Sequence, residues 1–228
     1  MKKYIAIMML ILVQGCDGDD RDVTDDKLST YIPAGIYQGT DNPTGETSLP
    51  ADAMIISDGR VAFITPDVPR VFIGTASGAF IPGKVYTDTV SAPVTVQLTT
   101  VSGDIVSGTY ISSSGDGTYD LLANPELYNR PSSLEKLEGE WIDDVFTSIA
   151  GTTTWVIQAD GTFTVSSTSG CTAEGAFSTI DPVKNEYDLS MDIANCAGFD
   201  DGAYTGFAVT IDTTDTTGTL AIDDTIYL

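Results

Sequence analysis

The residues of this sequence that could take part in chemistry are three cysteines and a large excess of carboxylates. The chain of 228 residues contains Cys16, Cys171 and Cys196, 33 aspartates and glutamates, and no histidine. The lack of histidine excludes Ser-His-Asp and Cys-His catalysis, as well as metal ligation by histidine. No nucleophile elbow, Ser-x-x-Lys pair or phosphate-binding loop occurs, and among so many carboxylates a chance pair does not indicate glycosidase chemistry. We therefore expect a non-catalytic protein without a cofactor or a metal site.

Cys16 lies at the boundary between an apolar segment and an acidic one. Lys2 and Lys3 precede an unbroken apolar run over residues 4–13. This run is too short to cross a bilayer as a helix, which takes about 20 residues. It has the length and the flanks of the hydrophobic region of a secretory signal peptide. The sequence therefore predicts a signal peptide over residues 1–15.

The four residues VQGC, Val13–Cys16, resemble the bacterial lipobox, in which an aliphatic residue stands three positions before the modified cysteine. The resemblance implies cleavage between Gly15 and Cys16 by signal peptidase II and a lipid such as palmitate on the Cys16 thiol. Each buried methylene contributes about 0.8 kcal/mol, and more than one acyl chain makes the attachment durable. We expect a lipoprotein anchored to the inner or the outer membrane of a bacterium, with its body in the periplasm or at the cell surface.

The stretch that begins with Cys16 is predicted to be a solvated tether over residues 16–33. Residues 17–26 are charged and show no apolar periodicity. The alternative is a calcium-binding loop, but Arg21 and Leu28 stand where an EF-hand requires a ligand and a glutamate. Asp17 resembles the inner-membrane retention signal of enteric bacteria. Other bacteria sort lipoproteins by other rules, so both membranes stay open as destinations.

The net charge of the chain limits its partners. Its formal charge is −23 at pH 7, and such a surface repels nucleic acid and anionic lipid headgroups. We therefore expect no nucleic-acid partner and a contact with the membrane through the N-terminal lipid. Any further partner is expected to be a protein or another component of the envelope.

With Cys16 assigned to the lipid, Cys171 and Cys196 remain as an even pair. In an exported protein such a pair indicates a disulfide. Two thiols in a chain without histidine are a poor set of zinc ligands, and the chain has no Cys-x-x-Cys redox motif. We predict a structural disulfide between Cys171 and Cys196.

From Gly35 onward the sequence is typical of an all-β protein. Short segments rich in Val, Ile, Thr, Tyr and Phe alternate with turns of Gly, Asp, Asn and Pro, without helical periodicity. Residues 54–63 and residues 155–165 each contain two alternating strands on either side of an Asp-Gly pair. We predict a type I′ turn at both pairs, because that turn needs two residues with positive φ.

Further short motifs recur in the same order about one hundred residues apart, which indicates a duplication. They pair GIY at 35–37 with GEW at 139–141, SGAF at 77–80 with EGAF at 174–177, GTY at 108–110 with GAY at 202–204, and GTYDL at 117–121 with GTLAI at 218–222. We predict two tandem antiparallel β-barrels or barrel-like sandwiches, over residues 34–123 and 139–228. The alternative is one larger barrel to which each repeat contributes half.

Residues 124–138 are predicted to link the two units through a short helix. Pro131 is followed by Ser132-Ser133-Leu134-Glu135, the pattern of a capping box, and Gly139 is placed to end the helix. With its lipobox, its YNRPSSLEKLEGEW joint and its GCTAEG and NC cysteine motifs, the chain resembles two-repeat β lipoproteins of gammaproteobacteria. The resemblance implies this architecture and supplies no activity.

Aromatic residues of the predicted strands are candidates either for a ligand cavity or for the core. They are Tyr37, Phe63, Tyr110, Trp141, Trp155, Phe163 and Tyr204. A barrel of about ninety residues has little room for both, which favours the core. We therefore expect a membrane-anchored envelope lipoprotein that displays β domains for interaction with a protein or another envelope component. The alternative is a lipocalin-like carrier of a small hydrophobic ligand.

Overall fold

The computed structural model describes residues 3–6, 33–65, 70–78, 80–86, 91–102, 104–112, 115–143, 152–196, 201–214 and 220–227. The chain is all-β, as predicted, and divides into two compact units. The N-terminal unit comprises Asp19–Tyr128, and the C-terminal unit comprises Asn129–Leu228 together with Met1–Gly18. Each unit has its own β-sheet and its own core, so the alternative of a single larger barrel is wrong. The predicted cleavage site and the acidic stretch lie outside the described residues.

The N-terminal unit is a closed barrel of eight antiparallel strands in chain order. Its first and last strands, β2 (Gly35–Pro43) and β9 (Gly115–Ala123), pair directly from Tyr37↔Ala123 to Pro43↔Gly117. This pairing leaves the barrel without an open edge. The strands between them are β3 (Leu49–Ile55), β4 (Arg60–Thr65), β5 (Arg70–Thr75), β6 (Phe80–Tyr86), β7 (Ser91–Ser102) and β8 (Ile105–Ser112).

Alternate residues of a strand face the interior of this barrel, because side chains of a β-strand alternate between its two faces. In β9 the side chain of Tyr119 is buried and that of Asp120 is exposed. The Tyr119 ring stacks on Phe63 with a centroid distance of 4.7 Å. Gly117, also in β9, lies against the Tyr110 ring, since a Cβ placed there would be 2.7 Å from the Tyr110 Cζ. Glycine at an inward position therefore provides the space that a large ring on the neighbouring strand occupies.

In the C-terminal unit the described residues after Asn129 form seven strands, each antiparallel to the next in chain order. They are β10 (Gly139–Asp143), β11 (Thr153–Ile157), β12 (Thr162–Ser167), β13 (Thr172–Thr179), β14 (Tyr187–Ala194), β15 (Gly202–Thr214) and β16 (Leu220–Tyr227). Because seven is an odd number, β10 and β16 run in the same direction. A short strand, β1 (Lys3–Ala6), lies between them, parallel to both, and closes the sheet.

Aromatic and aliphatic side chains also fill the C-terminal unit. Trp155 packs on Phe163 with a centroid distance of 4.9 Å, and Phe163 packs on Phe177 at 5.1 Å. Trp141 is fully buried and its Nε1 donates a hydrogen bond to the Leu137 carbonyl at 2.6 Å. The interior of this unit is therefore a packed core.

The two Asp-Gly hairpins form where the sequence predicts them, but not with type I′ turns. Gly59 and Gly161 have positive φ, 92° and 85°, whereas neither Asp58 nor Asp160 does. Each turn spans three residues: the Gly59 amide donates to the Ile56 carbonyl, and a left-handed glycine then completes a G1 bulge. The aspartates act through their side chains instead, since Asp58 Oδ1 accepts from the Arg60 amide and Asp160 Oδ1 from the Thr162 amide.

The motifs of the predicted repeat occupy equivalent positions of the two units at this hairpin but not along the whole chain. The amides of Ala76 and Phe177, one in each unit, donate to the carbonyls of Gly59 and Gly161. The later motifs fall on different strands: GTY at 108–110 lies in the seventh strand of its barrel, whereas GAY at 202–204 begins the sixth strand of β10–β16. The C-terminal unit has no counterpart of β9 among its described strands.

The predicted linker contains two four-residue helices, α1 (Pro125–Tyr128) and α2 (Leu134–Leu137), rather than one. The first falls in the N-terminal unit and the second in the C-terminal unit. The predicted capping box does not form, because the Ser132 hydroxyl donates to the Asp181 carbonyl at 3.0 Å and Ser133 occupies the N-cap without a side-chain capping bond. The helix ends at Leu137, with Glu138 as the C-cap, and Gly139 begins β10.

Candidate functional site

A cavity of about 80 Å³ lies at one end of the N-terminal barrel. It is placed where β2 and β8 end and β9 begins, since Pro43, Ser112 and Gly115 belong to its lining. Side chains from five of the barrel's strands form its apolar and aromatic walls: Phe72, Val85, Val94, Tyr110 and Tyr119. The barrel therefore leaves a small open space at this end.

A buried carboxylate anchors this end of the barrel. Asp41 in β2 is fully buried, and its carboxylate accepts three hydrogen bonds. Thr65 Oγ1 and Arg70 Nη1 donate to Oδ2 at 3.0 and 2.9 Å, and the Tyr110 hydroxyl donates to Oδ1 at 2.8 Å. A buried charge requires this kind of compensation, because an unpaired carboxylate loses its hydration without replacement.

Arg70 connects the buried carboxylate to the cavity. Its Nη1 donates to the Tyr110 hydroxyl oxygen at 3.2 Å as well as to Asp41, and its side chain is 19% exposed. Arg70 and Tyr110 both line the cavity, whereas Asp41 does not. The guanidinium therefore forms part of the cavity wall while it neutralises the carboxylate behind it.

The two tyrosines of the cavity wall stay protonated well into the alkaline range. Burial raises the pKa of Tyr119, and the nearby Asp41 carboxylate raises it further. Burial likewise raises the pKa of Tyr110, with the hydrogen bond to Asp41 as the second cause. Their rings lie 5.0 Å apart between centroids. At neutral pH the wall thus presents neutral hydroxyls and aromatic faces.

Two exposed carboxylates, Glu46 and Asp116, stand at the opening of the cavity. Thr44 fixes Asp116 through its amide, which donates to the Asp116 carbonyl, and its hydroxyl, which donates to Oδ2, both at 2.8 Å. Two carboxylates and the guanidinium of Arg70 thus line the cavity, and the carboxylate of Asp41 lies behind Arg70. Negative charge beside aromatic faces suits a small group with a positive charge.

The sequence-predicted aromatic residues are all buried in the two cores. Tyr37, Phe63 and Tyr110 belong to the N-terminal core, and Trp141, Trp155, Phe163 and Tyr204 to the C-terminal core. Of these, Tyr110 alone lines the cavity described above. Their arrangement is that of core residues, with Tyr110 shared between core and cavity.

Asp41, Thr65 and Arg70 were not among the residues predicted from the sequence. Two of them carry a signal: Asp41 stands within a strand rather than before a turn glycine, and Arg70 is one of only ten lysines and arginines in an acidic chain. Their pairing has no local signal, because 29 positions separate the two residues and only the closure of the barrel brings them together.

The structure joins Cys171 to Cys196, in agreement with the predicted disulfide. Cys171 precedes β13 and Cys196 follows β14, and these strands pair from Thr172↔Ala194 to Thr179↔Tyr187. The bridge thus joins β13 and β14 at the end of the hairpin that lies opposite its turn. Gly15 and Cys16, the predicted cleavage and lipidation residues, lie outside the described residues.

Comparisons of this chain with known protein families, with curated proteins and with solved structures found no match. Among the described residues, no helix is long and apolar enough to span a bilayer. The same residues contain no group of three or more cysteines, histidines or carboxylates arranged to hold a metal ion.

Proposed function

We propose that this chain is a lipid-anchored protein of the bacterial envelope that presents two β units for binding and carries out no catalysis. The observation that carries the proposal is VQGC at Val13–Cys16, between an apolar run and an acidic stretch. Cleavage before Cys16 and acylation of its thiol would hold the chain at the inner or the outer membrane. The acidic residues that follow would act as a solvated spacer between the membrane and the β units.

Cys16→Ala should abolish incorporation of labelled palmitate and move the protein from the membrane fraction to the soluble fraction, because no other cysteine is placed for acylation by this route. The matched control is the Cys171→Ser/Cys196→Ser double variant, which should keep both the label and the membrane location. Metabolic labelling followed by fractionation measures both properties. Continued labelling of the Cys16→Ala protein would contradict the anchor.

We infer further that the two units derive from the duplication of one β-sheet. The shared hairpin supports this origin. In both units a left-handed glycine closes the turn, an aspartate side chain caps it, and a later backbone amide, of Ala76 or Phe177, donates to the glycine carbonyl. The different strand numbers of the two sheets then follow from the loss of the last strand in the second copy. The stretch over residues 124–138, with α1 and α2, would join the copies.

The packed interiors support a function at the outer surfaces and edges of the units. A lipocalin-like carrier, the second candidate, needs an internal volume of about 300–1,000 Å³ for a drug-sized ligand. The cavity of the N-terminal barrel has about 80 Å³, and two carboxylates, Glu46 and Asp116, belong to its lining. This space suits a small polar or cationic group better than an extended hydrophobic ligand.

A neutral hydrophobic fluorophore such as N-phenyl-1-naphthylamine should therefore show no saturable binding to the intact protein at micromolar concentration. The measurement is the fluorescence of the probe in a titration with the purified chain, and heat-unfolded chain serves as the control for non-specific adsorption. Saturable binding with one site per chain would favour the carrier over the display protein.

A further inference from the structure

The gap between β10 and β16, which we call the acceptor groove, holds a strand that comes from the start of the chain and not from Asn129–Leu228. Strand β1 pairs with β10 at Lys3↔Trp141 and Tyr4↔Ile142. On its other side it pairs with β16 from Tyr4↔Thr225 to Ala6↔Tyr227. An extended segment of four residues thus completes a sheet whose other seven strands are contiguous in the chain.

The direction of the strands explains why the C-terminal unit does not close in the way the N-terminal barrel does. In the N-terminal barrel an even number of strands brings β2 and β9 together antiparallel, and the barrel closes on itself. In the C-terminal unit β10 and β16 run in the same direction, so they cannot pair antiparallel as β2 and β9 do. Without β1, both strands present unpaired backbone N–H and C=O groups, which readily accept another strand.

The segment that fills the groove lies inside the predicted signal peptide over residues 1–15. Cleavage before Cys16, on which this inference rests as part of the proposed function, removes β1 from the mature chain. The mature C-terminal unit then has an empty strand position between two parallel edges. Addition of a strand from a partner is a known mode of recognition, in which main-chain hydrogen bonds supply affinity and alternate side chains supply specificity.

We propose that the acceptor groove of the mature protein binds an extended segment of another envelope protein, parallel to β10 and β16, in which basic residues precede an apolar run. Strand β1, which occupies the groove, shows which residue types the groove accepts: Lys3 is followed by Tyr4, Ile5 and Ala6. The two edges are acidic in sequence, with GEWID in β10 and LAIDDTIY in β16. Their acidic residues favour a basic strand and disfavour an acidic one, including the stretch after Cys16 of the chain itself.

The test uses the mature chain, residues 16–228 with Cys16→Ser, and a fluorescein-labelled peptide of residues 1–8, MKKYIAIM. Fluorescence anisotropy should show saturable binding with one peptide per chain. The matched control is the full chain of residues 1–228 with Cys16→Ser, which should bind at least tenfold more weakly because its own β1 occupies the groove. Equal binding by both chains, or no binding by the mature chain, would overturn the proposal.

Two peptide variants test the recognition itself. N-methylation at Ile5 removes one main-chain donor and should weaken binding about tenfold, since one hydrogen bond contributes about that factor. A peptide with Lys2→Glu and Lys3→Glu should bind more weakly than the original, and the difference should shrink at high salt. If both variants bound as tightly as the original peptide, strand addition would be wrong.

Hydrogen exchange distinguishes an open groove from one that β10 and β16 close by pairing with each other. Amides of β10 and β16 should exchange faster in the mature chain than in the full chain and regain protection when the peptide binds. Protection in the mature chain without peptide would overturn the proposal. If the mature chain does not fold alone, addition of the peptide must restore the emission of the buried tryptophans. Because Cys16 is replaced throughout, none of these outcomes depends on the lipid anchor, which the palmitate labelling tests separately.

Discussion

Asp41→Asn should lower the free energy of unfolding of the N-terminal barrel by about 3 kcal/mol. The substitution keeps the shape of the side chain but removes the charge that compensates Arg70, and removal of one partner of a buried ion pair costs about 3–5 kcal/mol. We expect the lower end of this range, because the Arg70 side chain is 19% exposed and water screens part of its charge.

The two units can be followed separately in this experiment. Both tryptophans of the chain, Trp141 and Trp155, lie in the C-terminal core. Urea unfolding followed by tryptophan emission therefore reports the C-terminal unit, whereas far-UV circular dichroism reports both. Asp41→Asn should shift a transition seen by circular dichroism and leave the tryptophan transition in place.

Two further variants make the Asp41 prediction specific. Asp58→Asn removes the charge from the exposed Asp58–Arg60 pair and should cost less than about 1 kcal/mol, as surface ion pairs do. Asp41→Asn combined with Arg70→Met removes both charges, keeps an acceptor oxygen for the neighbouring hydroxyls and should recover most of the lost stability. If Asp41→Asn were as mild as Asp58→Asn, the buried pair would not hold this end of the barrel together.

The Cys171→Ser/Cys196→Ser double variant should lower the stability of the C-terminal unit by about 3.5 kcal/mol. The bridge joins residues 25 positions apart, and on the chain-entropy model a loop of about this length restricts the unfolded chain by that amount. Because β13 and β14 already pair next to the bridge at Thr172↔Ala194, the native strands need not move when it is removed.

Tryptophan emission measures this loss directly, since both tryptophans lie in the unit that contains the bridge. The N-terminal barrel is the internal control, because no cysteine lies between Cys16 and Cys171. Addition of a reductant to the unmodified protein should reproduce the effect of the double variant. A change below about 1 kcal/mol would show that the bridge does not restrict the unfolded chain as the model requires.

Local signals in the sequence were sufficient for the fold class, the hairpins and the disulfide. Alternation with a period of two predicts strands, because it matches the two faces of a sheet. The Asp-Gly pairs predicted both hairpins correctly. The predicted turn type was wrong, because in the first pair Gly59 adopts positive φ and Asp58 does not, and Asp58 accepts a hydrogen bond through its side chain instead. Once Cys16 is set aside, two cysteines allow a single pairing.

Features that depend on how distant strands close a sheet had no local signal. Asp41 and Arg70 form their pair only because β2 and β5 contribute to the same end of one barrel. The predicted capping box failed because the Ser132 hydroxyl finds the Asp181 carbonyl, 49 positions away, instead of the helix. Such competition between partners is decided by the tertiary structure.

The strands and the positions of the hairpin turns could be predicted from the amino-acid sequence, since each depends on neighbouring residues, and the bridge could be predicted because two cysteines remain after Cys16. The sequence also carries the VQGC motif on which the proposed anchor rests. The strand count of each sheet, and with it the relative direction of the two edges of the sheet, emerges only in the folded structure. The physical reason is parity: an even number of antiparallel strands brings its two edges together antiparallel, and an odd number leaves them parallel, so closure is a property of the whole sheet.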